Sequence, residues 1–456
     1  MKQYSSARDS QDSYHWFRAS AEQGNAYAQF NLALMCKQGL GAPRDDATAC
    51  GWLRLAALQG LAFAQNHLGA MYHNGRGVAR DDAEAVCWFR RADLQGDASA
   101  QQNLGLMYRQ GRGVVRNREL ALAWFCRAAE QGVASAQTLL GDAYARGHGA
   151  RRNYPLALAW LRKAAMQGDA TAQLQLGLMY RRGQGAARND AQALAWFRQA
   201  AAQGHAVAQR QLGVAYAQGR GVAADQLRAY AWLSRAAEQD DSDAQFNLGV
   251  MLANGRGVAR DEARAFWWYQ RAAEAGHMMA QYNLGGMYAH GRGVQRDAGR
   301  ALAWYRQAAE QGAANAQFNV GVIYANGHGV TRDEARAAAW YRSAADQGDA
   351  SAQNNLGVMY ANGQGVPKDD GQALDWYRRA AEQGHTLARF NLGGMYHGGR
   401  GVARDPVLAY MWIALAADAG DDAARGKRKL VAAQLTAEQL AAAQSQARRW
   451  RVARRA

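Results

Sequence analysis

Residues 316–348 read AQFNVGVIYANGHGVTRDEARAAAWYRSAADQG. Ala316, Val320 and Tyr324 fall at i, i+4 and i+8, so they share one side of a helix. Gly327 and Gly329 then stop that helix, because glycine adopts the positive φ of a C-cap without a steric clash. Asp333 follows as an N-cap whose carboxylate can accept from the first free N–H groups of a second helix. Ala337, Trp340, Tyr341 and Ala344 then recur at i, i+3, i+4 and i+7, the apolar stripe of an amphipathic helix. Gly348 ends it. The stretch predicts a helix–turn–helix hairpin with Trp340 and Tyr341 in its core.

The same reading extends in both directions. Tryptophan stands at Trp16, Trp52, Trp88, Trp124, Trp160, Trp196, Trp232, Trp268, Trp304, Trp340, Trp376 and Trp412, always 36 residues apart. The N-cap slot is Asp or Asn each time, from Asp45, Asp81 and Asn117 onward. The chain has 456 residues with 50 glycines and only 4 prolines, and its glycines follow this period. No single hairpin can bury its apolar face alone, so stacked neighbours must share one core. The expected organisation is a flexible N-terminus over 1–13, a lone capping helix over 14–25 and eleven full repeats over 26–421. A degenerate repeat and a basic capping helix follow over 422–456, with Thr436–Gln439 as a capping box. About two dozen helices and no sheet are predicted. Trp232 and Trp304 are expected to be buried between helices.

Within one unit, Leu284, Gly285, Tyr288, Gly291, Gly293, Val294, Asp297, Ala301, Trp304, Ala308, Ala309 and Gly312 form a pattern that resembles the Sel-one-like repeat (SLR) family, a relative of the tetratricopeptide repeats. The resemblance covers roughly residues 14–456. Departures are few: Ala33 and Cys36 occupy the glycine and tyrosine slots of the first unit, and Leu252 replaces a tyrosine. The resemblance implies an all-α fold, a right-handed α/α superhelical solenoid of 36-residue hairpins. It also implies a protein-interaction scaffold or adaptor that binds a peptide or protein segment in its concave groove.

Chemistry that would point elsewhere is missing from the motifs. There is no phosphate-binding loop with its lysine, no zinc-protease pair of histidines and no serine elbow. The G-x-G pairs follow helices and have no strand before them, so they do not read as nucleotide loops. The ten histidines are scattered over different slots and read as solvated. No enzyme, cofactor or metal is expected. The first residues lack an apolar core like that of a secretory signal, and no apolar run approaches the roughly 18–20 residues of a membrane span. A cytoplasmic monomer is the expectation. Cys36, Cys50, Cys87 and Cys126 show no metal or redox spacing and read as reduced apolar fillers.

The first helix carries a second stripe opposite its buried side, through the slots of Asn315, Phe318, Val322 and Ala325. In related solenoids this face lines the concave surface, where a merely solvated helix would be charged. Phe246, Tyr282, Phe318 and Phe390, with Val250, Val322 and Val358, are therefore candidate contacts for a bound segment. Beside them Asn247, Asn283, Asn319, Asn355 and Asn391 could pair with a segment's backbone, since an amide donates and accepts at once. The competing readings are packing of the stripe against the next first helix and amide bonds between repeats. In the early half Arg109, Arg146, Arg181 and Arg182 suggest contacts to an acidic segment.

The net charge of +16 raises one alternative, the binding of an anionic polymer (nucleic acid or polysaccharide) along an arginine-rich rim. Loop arginines recur at Arg76, Arg112, Arg220, Arg256, Arg292 and Arg400. A second row precedes the N-cap at Arg44, Arg80, Arg116, Arg152, Arg188, Arg260, Arg296, Arg332 and Arg404, mostly beside an aspartate that offsets it. The loops lack the exposed aromatics that single-strand binders use, which disfavours nucleic acid.

Overall fold

The computed structural model describes residues 7–453, which hold 25 α-helices and no strand. The first helices of successive hairpins are α2 (Ala26–Gln38), α4 (Ala62–Asn74), α6 (Ala98–Gln110), α8 (Ala134–Arg146), α10 (Ala170–Arg182) and α12 (Ala206–Gln218). They continue as α14 (Ser242–Asn254), α16 (Met278–His290), α18 (Ala314–Asn326), α20 (Ala350–Asn362) and α22 (Thr386–Gly398). The second helices alternate with them; those used below are α7 (Arg118–Glu130), α13 (Gln226–Ala237), α15 (Glu262–Glu274), α17 (Ala298–Glu310), α19 (Glu334–Asp346), α21 (Asp370–Glu382) and α23 (Pro406–Asp418). Two compact units, Met1–Trp232 and Leu233–Ala456, divide inside α13.

The hairpin boundaries follow the expected caps. Gly327 has φ 69° and its N–H returns to the Ile323 carbonyl, while the extended Asp333 accepts from the Arg336 N–H. The second glycine of each pair has a separate duty. A Cβ on Gly293 would come within 2.2 Å of the Glu262 carbonyl oxygen, so this loop lies against the start of the preceding second helix. In the middle of the hairpin, a Cβ on Gly321 would meet the Tyr341 ring at 2.7 Å. The bare glycine face lets α18 and α19 close on that ring.

The tryptophans are not the deepest residues of this core. Trp232 and Trp304 are half-exposed, Trp16 is 66% exposed, and only some members of the series (Trp88, Trp376 and Trp412) are buried. The buried position is the next one along: Phe89, Phe125, Leu161, Phe197, Leu233, Tyr269, Tyr305, Tyr341, Tyr377 and Ile413. Ala337, Tyr341 and Ala344 lie along the hairpin seam, and Trp340 sits about 100° around the helix from Tyr341. From that flank the indole meets a cation three residues on where the sequence supplies one, as at Trp88, Trp124, Trp160 and Trp376. Arg91 stands 4.3 Å from the Trp88 ring and Lys163 4.2 Å from the Trp160 ring.

Both ends extend the stack. The first helix, α1 (Ala7–Glu22), begins earlier than the expected capping helix, so the segment thought flexible is helical from residue 7; residues 1–6 lie outside the described residues. At the other end α24 (Asp422–Ala432) and α25 (Ala437–Ala453) leave α23 buried continuously from Ala409 to Ala417. The Thr436 box forms as expected: its N–H donates to Gln439 Oε1 at 3.0 Å and its hydroxyl accepts from the Gln439 N–H. Trp450 meets Trp412 edge-on at 5.8 Å. Arg454 and Arg455 fall outside the described residues.

The cysteines are free thiols. Cys36 and Cys50 are buried and fill apolar space, whereas Cys87 stands on the surface and does not. Among the described residues no helix is long and apolar enough to cross a membrane.

Candidate protein-binding face

On the first helices of the second unit the expected aromatics are half-buried, each leaning on the core. Phe246 lies 5.9 Å from Tyr269, Tyr282 5.6 Å from Tyr305 and Phe318 5.8 Å from Tyr341, in every case the buried aromatic of the same hairpin's second helix. Phe246 also stacks on His277 at 4.6 Å. That histidine caps α16 by accepting the Ala280 N–H and reaches Asp243 at 3.3 Å, so it is a structural residue and not a solvated one. Phe390, Val250, Val322 and Val358 are likewise half-buried.

The amides are engaged within the protein. Asn247 donates to its own helix at Asp243, and Asn391 donates across one repeat to Asn354 at 3.1 Å. Asn283, Asn319 and Asn355 stand beside the hydroxyls of Tyr269, Tyr305 and Tyr341 in the preceding repeat. Burial pushes the Tyr269 and Tyr305 hydroxyls up to about 12, against the opposing pull of those amides and of Arg292. An amide that donates here keeps acceptor capacity on its oxygen.

Clefts open where consecutive first helices straddle a second helix. One of about 370 Å³ is lined by Tyr269, Asn283, Met287 and Arg292 and crossed by the Arg260–Glu262 ion pair. The next but one, about 220 Å³, brings Asn355 and Val358 to Tyr341 beside the Arg332–Glu334 pair. None of Phe246, Tyr282, Phe318 and Phe390 lines either cleft.

The basic candidates of the first unit divide. Arg109 and Arg146 line one cleft between α6, α7 and α8. Arg181 sits in a narrower one, where it donates to Gln211 Oε1 at 2.5 Å. Burial, and then repulsion from Arg182, Arg220 and Arg210, holds its guanidinium below the usual value.

The Sel1 repeat pattern matches twelve consecutive segments of this chain: 3–25, 26–61, 62–97, 98–133, 134–169, 170–205, 206–241, 242–277, 279–312, 314–349, 350–385 and 386–421. The chain belongs to the Sel1 repeat family. It is similar to c5321, a protective antigen of uropathogenic Escherichia coli with an SLR fold, at 40% identity over 96% of this chain and 94% of that one, with a TM-score of 0.80. A Sel1 repeat protein from Oxalobacter formigenes is 36% identical over 67% of this chain and 89% of its own, with a TM-score of 0.53. No curated protein matches the chain. Sel1 repeat proteins generally mediate protein–protein interactions.

Two features of these Sel1 repeats escaped the sequence reading. A buried glutamine follows the first-helix alanine from Gln29 to Gln353. Its Nε2 donates back to the preceding second helix, mostly to a carbonyl, as Gln317 does to Ala309 at 3.1 Å, and in Gln101 to the Asp93 carboxylate. In most repeats its Oε1 accepts from a glutamine that closes the next second helix, as from Gln347 at 2.7 Å. The recurrence was visible; its burial was not. The second feature is which acid pairs with the arginine row: at Arg44, Arg80, Arg188, Arg260 and Arg332 it is the residue after the N-cap and not the adjacent N-cap. Arg44–Asp46 and Arg188–Asp190 both close at 2.8 Å, and the hydrogen bond from Arg188 holds Asp190 below the usual carboxylate range.

Proposed function

We propose that this Sel1 repeat protein is a binding scaffold that takes an extended or helical protein segment along the first-helix face of its second unit. The observation that carries the reading is the row Phe246, Tyr282 and Phe318: half-exposed rings at the repeat spacing, each braced by a buried aromatic behind it. Rings held in place bind with little loss of side-chain freedom, and a few such residues carry most of an interface's affinity. Val250, Val322 and Val358 would form the floor. The amide oxygens of Asn283 and Asn319, and the remaining acceptor capacity of Asn355 beside its bond from Asn354, would accept N–H groups of the segment, with Asn247, Asn391 and Phe390 extending the track. The rim arginines favour this reading over an anionic polymer, because Arg260, Arg332 and Arg400 are already paired with acids.

The test is selection of binders from a displayed random peptide library, followed by affinity measurement. Tyr282→Ala and Phe318→Ala should each weaken a selected segment by about 1–4 kcal/mol. Arg256→Ala with Arg292→Ala should change it far less. The opposite pattern, arginines essential and aromatics indifferent, would replace this reading with the polyanion one.

A further inference from the structure

The repeats differ at the position after the N-cap, and one of them carries a basic residue there. The position after the N-cap is acidic at Asp46, Asp82, Asp190, Glu262, Glu334 and Asp370, and each carboxylate holds an arginine. In the repeat that starts α7 this position is Arg118. Among the described residues Arg116 and Arg118 have no acidic partner, whereas Arg44, Arg80, Arg188, Arg260 and Arg332 in the slot of Arg116 are paired. Both line the cleft of about 320 Å³ between α6, α7 and α8, together with Arg109 and Arg146.

The local charge is thus unbalanced. Four guanidiniums face one carboxylate, Asp142, which is engaged with Arg146 at 2.7 Å. Arg109 lies against the Phe125 ring, 5.8 Å from its centroid. Beneath the guanidiniums, Leu122, Phe125 and Leu139 form an apolar floor. Like charges gathered over a low-dielectric wall raise the local potential and favour an anion there. Guanidiniums match carboxylates in a forked geometry. A floor of this kind adds a place for an apolar side chain next to the charge.

We propose that this cleft is a subsite for an acidic protein segment, taking carboxylate side chains on Arg116 and Arg118 and an adjoining apolar side chain on the Leu122–Phe125–Leu139 floor. The proposal rests on the scaffold reading above and names the chemistry of one partner segment. It places the specificity at the repeat position where only Arg118 is basic, so it makes a narrow test possible. Arg118→Glu restores the pair seen at Arg332–Glu334 and puts an acid in the first turn of a helix, where the macrodipole favours it. That variant should keep its fold.

The experiment measures binding of short fluorescent peptides to the full chain: a glutamate-rich peptide with one central leucine, the same peptide with serine for leucine, and a lysine-rich control. The leucine peptide should bind in a salt-sensitive way. Arg118→Glu should weaken it at least about tenfold, the loss expected when a charge-assisted bond becomes a repulsion. Serine for leucine should weaken it about tenfold as well, by losing one buried aliphatic side chain. Arg448→Glu, an equal charge change on exposed α25, should leave it unchanged. Equal losses from Arg118→Glu and Arg448→Glu, indifference to the leucine, or no binding to the native chain would overturn the subsite. The scaffold reading is judged separately, since display-selected segments lost with Tyr282→Ala and Phe318→Ala would still support it.

Discussion

The glutamine ladder lacks a rung at Gln245, and filling it is a sharp test of how these repeats are held together. Gln245 is 2% exposed, and its Nε2 donates to the Ala237 carbonyl. Its Oε1 is buried without a hydrogen-bond partner. The donor in other repeats is a glutamine thirty residues on, such as Gln347 for Gln317 and Gln383 for Gln353. Here that position is Ala275. Its backbone, φ −75° and ψ 4°, matches that of Gln347 at −83° and 0°, so a glutamine side chain would start along the same path. Satisfying a buried acceptor is worth about 1–3 kcal/mol, and fixing a glutamine side chain costs up to about 2 kcal/mol. Ala275→Gln should therefore stabilise the repeat by roughly 0.5–1 kcal/mol net of these two terms. Because a repeat array need not unfold in one step, the assay is native-state hydrogen exchange resolved to α14, α15 and α16. Slower exchange confined to those helices is expected. The same substitution in a Gln245→Ala background should give no gain, as a double-mutant cycle requires of a direct pair. A gain that persists without Gln245 would refute the ladder as its cause.

Two further outcomes follow from burial. Tyr305→Ala should destabilise its repeat by about 3–5 kcal/mol, the cost of a large buried ring, and Trp304→Ala by clearly less; chemical denaturation of the two variants ranks them, and the reverse order would contradict the seam geometry. The hydroxyls of Tyr269, Tyr305 and Tyr377 are pushed up to about 12 by burial, so the fold prefers them neutral. The stability tied to that preference is whole below the usual tyrosine value of about 10 and is lost as pH rises through 12. Ultraviolet titration of tyrosinate with circular dichroism should show unfolding in that window, delayed by Tyr377→Phe; titration of all three near pH 10 with the fold intact would contradict it.

The hairpins were legible because their ends are written in local chemistry. A carboxylate or amide that caps and a glycine at positive φ act within a few residues, so Gly327 and Asp333 locate their helices without help from the rest of the chain. The choice between Trp340 and Tyr341 was not legible in the same way. Adjacent residues on one helix differ by about 100°, and both slots are aromatic, so only the partner helix decides which is enclosed. The buried glutamines were passed over because a polar side chain reads as solvated until its partner in the next repeat is known. The amide row was read with both alternatives open, and its bonds depend on neighbours as different as Asp243, Asn354 and the Tyr269 hydroxyl. Arg118 is not legible from the arginine columns, because its meaning lies in a different column, where six repeats carry an acid.

The central claim is that a protein segment lies on the first-helix face of the second unit. The most direct measurement is hydrogen–deuterium exchange of the chain with and without a segment selected from a peptide library. The account predicts protection of α14, α16, α18, α20 and α22 around Phe246, Tyr282, Phe318, Asn355 and Phe390, with second helices little changed. Protection concentrated instead on the loops of Arg256, Arg292 and Arg400, leaving those helices as they were, would contradict it.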